Sequence, residues 1–399
     1  MFLQPSRLDS TAPPRVLVVV IDDVAQADVD ELLPALPNLA ALAAQSMVCR
    51  RAYSHPVCGV TRYTLQTGEW GRRRGIIHDV GSPAGGLPTE AVTMAEAAGT
   101  FPGARRILVG KWHCGGEVLT GPLGRGYDSW RAGTYLNLRD DPRGSVNYTD
   151  WFRLDDGAGA QSAEYATKAQ ALAVIEAWNA GVEAGVPLLA LLCLNAPHGP
   201  LHTPPPFALP PGYQVGPGTR GKFEAMLGSV DVVLGLLAAN LLELDGALVV
   251  VSSDNGTSDN NLPSGYPMGR SKGTTYERGV RVPLLVRRPG GAGAGEDQAL
   301  RSLSDVWSTV AAHLGSSAPA PADSLDLLAP AGHDYVISEA MVGGEHKRAV
   351  VRSDLWKLLG DDGREEFYDL GADPGELTPV PASSLGVIAD ELRELLEHG

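Results

Sequence analysis

Four short apolar runs in this 399-residue chain each end in side chains that can hold an ion or move a proton. RVLVVVI from Arg15 runs into Asp22-Asp23, and RRILVG from Arg105 into Lys111-Trp112-His113. VPLLALLCL from Val186 leads to NAPHGP with His198, and GALVVVSS from Gly246 ends in Asp254-Asn255. Each has a plainer reading alone: a carboxylate pair caps helices, a single histidine is usually structural, a lysine is usually a surface charge, and Asp-Asn before glycine makes turns. Four strand ends of the same kind are not explained that way. Three carboxylates and an amide offer hard oxygen donors, which favour one hard divalent cation such as Ca²⁺, Mg²⁺ or Mn²⁺ over zinc or copper. A pair of zinc ions would call for more histidine than His113 and His198 supply.

A second group is cationic. HPVCGVTRYTLQTG places Cys58 four residues before Arg62 and at the edge of a predicted helix. That cysteine reads as a small core residue, a metal ligand or a nucleophile beside a cation. Near a helix N-terminus, an arginine and a divalent ion, its thiol is expected to have a depressed pKa. Arg62, Lys111, His113, His198 and Lys272 (in GRSKGTTYERGVRVP) together suit a tetrahedral oxyanion such as sulfate or phosphate. A preorganised donor aimed at developing charge is worth roughly 2.7–4 kcal/mol.

The elements that must position these residues follow an α/β rhythm. Apolar runs alternate with helical patterns at 163–178 and 223–242, which predicts a mostly parallel central sheet flanked by helices. In such sheets ligands bind outside the carboxyl ends of the strands, so the four ends are expected to converge. VRVPLLVRRP from Val280 is a fifth strand candidate, and the GGAGAG after it lacks the spacing of a dinucleotide loop. SSAPAPAD at 316–323 reads as a linker. Beyond it DYVISEAM, KRAVVRSDLWKLL and EEFYDL predict a small antiparallel sheet, and LGVIADELRELLEHG a closing amphipathic helix. The expected organisation is a catalytic domain over 1–318 and a smaller α+β subdomain over 324–399.

Composition narrows the partners. A formal charge of -15 argues against nucleic acid or an anionic membrane as the main partner, but not against a small anionic ester. Cys49, Cys58, Cys114 and Cys193 are too scattered for a disulfide framework. The N-terminus MFLQPSRLDSTAPP lacks the layout of a signal peptide, and Val16 to Ile21 is too short to cross a bilayer, so the cytoplasm is the expected location.

The motifs VLVVVIDD, CGVTRYTLQTG, GKWHCGG, NAPHGP, VSSDNG and SKGTTYERGVRVP, in that order, resemble those of sulfatases in the alkaline phosphatase superfamily. GRGYDSW, RSDLWKLL and EEFYDLGADPGELTPV resemble the family's later pattern, so the likeness covers nearly the whole chain. The resemblance implies hydrolysis of sulfate monoesters. It matches Asp22, Asp23, Asp254 and Asn255 to the ligands of one Ca²⁺, and Cys58 to the cysteine that a formylglycine-generating enzyme oxidises to a metal-touching nucleophile. Arg62 matches the residue holding that nucleophile; Lys111, His113, His198 and Lys272 match groups that bind sulfate and assist the nucleophile or leaving group. The aldehyde's hydrate has one hydroxyl to attack sulfur and a second whose deprotonation ejects sulfate, an exit closed to a plain thiol.

The signature of modification is Cys-x-Pro-x-Arg, with Ala sometimes in the proline place; this chain has Val60 there. Conversion despite Val60 and an unmodified thiolate both remain open at this point. The second would suit phosphonate monoesters or phosphodiesters, and a non-catalytic oxyanion-binding relative is a third reading. Trp70, Trp112, His202 and Tyr266 stand near the motifs as possible pocket residues.

Overall fold

The computed structural model describes residues 12–79, 85–138, 144 and 146–399. Ten strands form the main sheet: β1 (Arg15–Ile21), β2 (Met47–Tyr53), β3 (Arg105–Lys111), β4 (Ser129–Thr134), β5 (Trp151–Asp155), β6 (Ala158–Ser162), β7 (Leu188–Cys193), β8 (Leu248–Ser253), β9 (Leu284–Arg287) and β10 (Gly295–Ser302). Their spatial order is β10-β2-β9-β8-β1-β7-β3-β4-β5-β6. The centre is parallel: β1 pairs with both β7 and β8, and β3 with both β7 and β4, while β9, β5 and β6 join antiparallel.

The four runs read as buried strands are the central four, for a plain reason. Both faces of the sheet are covered, so consecutive residues of β1 serve two cores. Leu17, Val19 and Ile21 pack on one face with Leu188, Ala190 and Leu192; Val16, Val18 and Val20 pack on the other with Leu189 and Leu191. A strand buried on both sides reads as a continuous apolar run, not an alternation. The helix Gly218–Asn240 is long and apolar enough to cross a bilayer, but Met226, Val230, Val233 and Leu237 bury it against the sheet. Helix Ala166–Glu183 lies on the same face.

A second sheet, β11 (Tyr335–Val342), β12 (Glu345–Arg352), β13 (Trp356–Asp361) and β14 (Arg364–Asp369), is a four-stranded antiparallel meander, and helix Val387–His398 closes it with Leu392 and Leu396. KRAVVRSDLWKLL, read as one strand, is two strands with a turn between. The segment read as a linker is tied down. Asp323 is buried and accepts hydrogen bonds from the Trp70 backbone (3.0 Å) and the Arg73 guanidinium (2.9 Å).

The two sheets share a core containing Tyr53, Trp70, Val280 and Leu300 with Val336, Leu358 and Tyr368. Trp70 is therefore a packing residue between the sheets. Beside it lies a buried ion cluster: Lys357 Nζ is 2.9 Å from Glu277 Oε1 and 2.8 Å from Glu376 Oε1. Removing the cation from such a cluster leaves uncompensated buried charge, a loss of about 3–5 kcal/mol. Lys357→Met is expected to lower unfolding free energy by that amount in urea; a loss below about 1 kcal/mol would show that the cluster contributes little.

Candidate active site

Strands β8, β1, β7 and β3 are neighbours and parallel, so their carboxyl ends share one edge of the sheet. The backbone continues to pair just beyond them: Asp254 N–H donates to the Ile21 carbonyl (3.1 Å) and Asp22 N–H to the Ala196 carbonyl (3.2 Å). Two residues there adopt left-handed backbone, Asp23 at φ 68° and His113 at φ 52°. Non-glycine residues are rarely held so, and when they are it is commonly at functional sites. Gly110 has φ 87°, and a Cβ on it would stand 2.0 Å from the Cys193 carbonyl oxygen, so only glycine lets β3 deliver Lys111 this close to β7.

Ligand atoms of Asp22, Asp23, Asp254 and Cys58 all lie within 4.8 Å of one another, and all four residues are buried. Cys58 Sγ is 3.7 Å from Asp22 Oδ1 and 3.8 Å from Asp23 Oδ1. Asn255 Nδ2 donates to Asp23 Oδ1 (2.7 Å) and to the Gly256 carbonyl (3.0 Å), which leaves its Oδ1 buried and unpartnered among the described residues. A buried acceptor without a donor, beside three carboxylates, fits an oxygen-seeking divalent cation. Asp22, Asp23, Asp254 and Asn255 thus meet the requirement for such an ion.

Three cations oppose the three carboxylates. Arg62 Nε donates to Asp254 Oδ2 (3.0 Å), with Nη2 at 2.8 Å from the same oxygen and 3.6 Å from Asp22 Oδ2. Lys111 Nζ is 2.5 Å from Asp22 Oδ2. Lys272 Nζ donates to Asp23 Oδ1 (2.6 Å) and to Cys58 Sγ (3.2 Å). The loop carrying Lys272 is anchored by its own N–H on the Thr257 carbonyl (2.9 Å) and by Gly273 N–H on the Pro56 carbonyl (2.9 Å). Burial pushes the Asp23 carboxyl up, but Lys272 and His198 outweigh it and hold it at about 2. Burial pulls Lys111 and Lys272 down, and Asp22 and Asp23 respectively more than restore them, so both stay charged.

The thiol behaves otherwise. Burial, then Asp254, push Cys58 well up, against Lys111 and Lys272. The expected depression rests on a divalent ion as well; without one, burial and the Asp254 carboxylate outweigh Lys111 and Lys272.

Cys58 is the first residue of helix Cys58–Thr67, whose N-cap Val57 supplies no capping side chain. The helix is buried along its whole length, and His55 staples its start. The ring's Nδ1 lies 3.1 Å from the Glu339 carbonyl and its Nε2 3.0 Å from Thr64 Oγ1. A neutral imidazole satisfies both contacts with either nitrogen carrying the proton, since the Glu339 N–H also lies 3.2 Å from Nδ1, and burial lowers its pKa from 6.5 to about 4. A histidine lowered on folding adds stability that is complete above its unfolded pKa and lost as pH falls through the folded one, here between about 6.5 and 4. Wild-type protein is expected to lose roughly 3 kcal/mol more than His55→Gln between neutral pH and pH about 4 in denaturant titrations. Equal losses would contradict the assignment.

His198 Nε2 stands 3.7 Å from Asp23 Oδ2, and its Nδ1 2.9 Å from the Gly199 carbonyl. His113 joins through another residue: its Nε2 is 3.1 Å from Asp79 Oδ1, while its Nδ1 is buried and unpartnered among the described residues. The structure thus gathers all ten residues picked from the sequence. Sequence reasoning missed Asp79, and it missed Ser258, whose hydroxyl donates to Asp23 Oδ2 (3.2 Å). Ser258 lies three residues past Asn255, a proximity that could have marked it; Asp79 sits in RRRGIIHDV, which carries no strand-end signal. Of the other pocket candidates, Trp112 lines a small cavity with Gly86, Cys114 and Arg125, His202 stacks on Tyr148 (4.5 Å between ring centroids), and Tyr266 lies under the Arg278 guanidinium (4.5 Å).

The chain's likeness to known proteins agrees with this geometry. It is 28% identical over 371 residues to the N-acetylgalactosamine-6-sulfatase of Canis lupus familiaris, covering 84% of this chain and 67% of that one. It is 28% identical over 351 residues to arylsulfatase A of Homo sapiens, covering 79% and 66%. The chain spans about two thirds of the length of these relatives. In fold it is similar to Ps i-CgsB in complex with k-i-k-neocarrahexaose, with TM-score 0.83 at 23% identity over 96% of this chain and 92% of that one. It is also similar to the PsFucS1 sulfatase from Pseudoalteromonas sp., with TM-score 0.75 at 20% identity over 96% and 89%. The sulfatase family profile matches residues 14–316, the span that builds the ten-stranded sheet and carries every residue of the cluster, and the chain belongs to the sulfatase family.

Proposed function

We propose that this protein hydrolyses sulfate monoesters at position 58, with Asp22, Asp23, Asp254 and Asn255 holding one Ca²⁺. The observation that carries the reading is the charge balance of the buried cluster: three carboxylates against Arg62, Lys111 and Lys272. That set is neutral by itself, and a divalent cation turns it positive, suited to an anionic ester. The cation would supply electrophilic pull on a sulfuryl oxygen and on the nucleophile.

The donor set also favours an oxygen nucleophile over sulfur. Carboxylates and an amide oxygen select a hard ion, for which a thiolate is a poor fifth ligand. Formylglycine made from Cys58 by a generating enzyme supplies the required hydroxyls. The chain's own residues do the rest. Arg62, held by Asp254, fixes position 58 and the charge beside it. Lys111 and Lys272 remain cationic and pair with sulfate oxygens once the ester enters. In this reading His198, only partly buried and 3.7 Å from Asp23 Oδ2, gives a proton to the departing alcohol, and His113 takes one from the hydroxyl at position 58.

The names of the relatives make sugar and aryl sulfates the first substrates to test. Protein co-expressed with a formylglycine-generating enzyme is expected to release sulfate from 4-nitrophenyl sulfate or a 6-sulfated amino sugar, to lose that activity in EDTA, and to regain it with Ca²⁺. Faster release from a phenylphosphonate monoester or a phosphodiester would replace this reading with phosphorus-ester hydrolysis. Absence of turnover on all of these, with Ca²⁺ bound, would make the protein an oxyanion binder.

A further inference from the structure

Asp79 is a carboxylate outside the metal set that nonetheless bonds a residue of the reaction centre. It follows the 3₁₀ turn Gly71–Arg74, its side chain is 56% exposed, and its Oδ1 lies 3.1 Å from Nε2 of His113, a side chain only 5% exposed. His113 is fixed from behind as well: its N–H donates to the Tyr135 carbonyl (2.9 Å), and it sits in left-handed backbone. A neutral imidazole has one N–H and one bare nitrogen. A carboxylate at Nε2 accepts a proton and cannot offer one, so the N–H belongs on Nε2 and the bare nitrogen is Nδ1, the buried atom without a partner among the described residues.

We infer that Asp79 is the positioning residue of His113: it accepts the Nε2–H, fixes the tautomer that leaves Nδ1 free to take a proton inside the site, and offsets the charge of the imidazolium that results. The proton moves from the reacting hydroxyl to Nδ1, the Nε2–H stays on the ring, and Asp79 remains a carboxylate throughout. The division of labour is that of a carboxylate-oriented histidine base. The groups facing the ring are Asp79, which favours its protonation, and Lys111 and Arg62, which with burial oppose it. Partial desolvation pushes the Asp79 carboxyl up, but His113, Lys111 and Lys272 outweigh it and hold the carboxyl below the usual range. Removing its charge therefore leaves burial, Lys111 and Arg62 unopposed at the ring.

The kinetic part of this inference rests on the sulfatase reading; the tautomer does not, and the test separates them. Long-range ¹H–¹⁵N spectra of histidine-labelled full chain, with the His113 signals assigned by His113→Gln, are expected to show the Nε2–H tautomer in wild type. In Asp79→Asn the ring is expected to titrate at lower pH, and in Asp79→Glu close to wild type. An Nδ1–H tautomer in wild type, or titration unmoved by Asp79→Asn, would overturn the proposal whatever the activity. In turnover of 4-nitrophenyl sulfate, Asp79→Asn is expected to lower kcat about 10–100-fold with KM within about twofold, and to move the acid limb of the kcat profile to lower pH. Asp79→Glu is expected to restore part of kcat. A raised KM with unchanged kcat would overturn it, by making Asp79 a substrate contact. If wild type releases no sulfate while the tautomer responds to Asp79 as expected, the sulfatase reading fails and the pairing stands.

Discussion

Asp254→Ala is expected to lower turnover of a sulfate ester by at least about 10³-fold and to abolish measurable Ca²⁺ binding. Asp254 ties together two parts of the cluster through its two carboxylate oxygens. Its Oδ1 accepts the Asp23 N–H at 3.2 Å, so it fixes the strained residue that follows β1. Its Oδ2 receives Arg62 at two nitrogens, 3.0 and 2.8 Å away. Arg62 is 2% exposed, and without its partner the charge has no route to water. Leaving a buried charge unpaired costs about 3–5 kcal/mol, so the alanine variant is also expected to be markedly less stable. Asp254→Asn keeps the volume and one acceptor oxygen and tests the site without that burden. It is expected to fold, to bind Ca²⁺ far more weakly in calorimetry, and to lose turnover almost as completely. An Asp254→Asn protein with near wild-type Ca²⁺ affinity would remove Asp254 from the ligand set.

The second large effect is at position 58, where two substitutions separate two jobs. Cys58→Ala removes the nucleophile from a buried site and is expected to abolish turnover, about 10⁴-fold or more, while changing stability little because one sulfur atom is lost from a small side chain. Cys58→Ser retains one hydroxyl. That oxygen can attack sulfur and expel the alcohol, forming a serine sulfate ester, but no second hydroxyl is present to eject sulfate by C–O cleavage. The expected result is a burst of one equivalent of 4-nitrophenol per protein, followed by arrest, with sulfate retained on the chain. Steady turnover by Cys58→Ser would show that water reaches the sulfated residue and that the second hydroxyl is dispensable.

Much of this site was legible in the sequence because its scaffold is buried on both faces. β1, β3, β7 and β8 each have a continuous apolar centre, and the polar residues at or just beyond their carboxyl ends include Asp22, Asp23, Lys111, Asp254 and Asn255. β2 and β10 were not read as strands. MVCRRAY and GEDQALRS carry charges both outside and inside, Arg50 pairing with Asp30 and Glu296 and buried Arg301 with Asp297, so neither apolar continuity nor alternation survives. Asp79 was invisible for a different reason. Its importance comes from a contact with His113 across the fold, and no local pattern in GIIHDV encodes that contact. The direction of the Cys58 shift was likewise beyond the sequence. It depends first on the burial of Sγ and then on the Asp254 carboxylate, both set by where the helix Cys58–Thr67 meets the strand ends.

Val60 stands where the resemblance expects proline, and in the folded protein it is wholly buried in the helix and packs in the core, so recognition of this position by a maturing enzyme would have to precede folding. Peptide mass spectrometry on the fragment containing residue 58, from protein made with and without a formylglycine-generating enzyme and assayed in parallel for sulfate release, joins residue to function in one experiment. The expected result is aldehyde at position 58 in the co-expressed sample and sulfate release in proportion to the aldehyde fraction. Equal sulfate release from samples whose residue 58 is unmodified cysteine would contradict it.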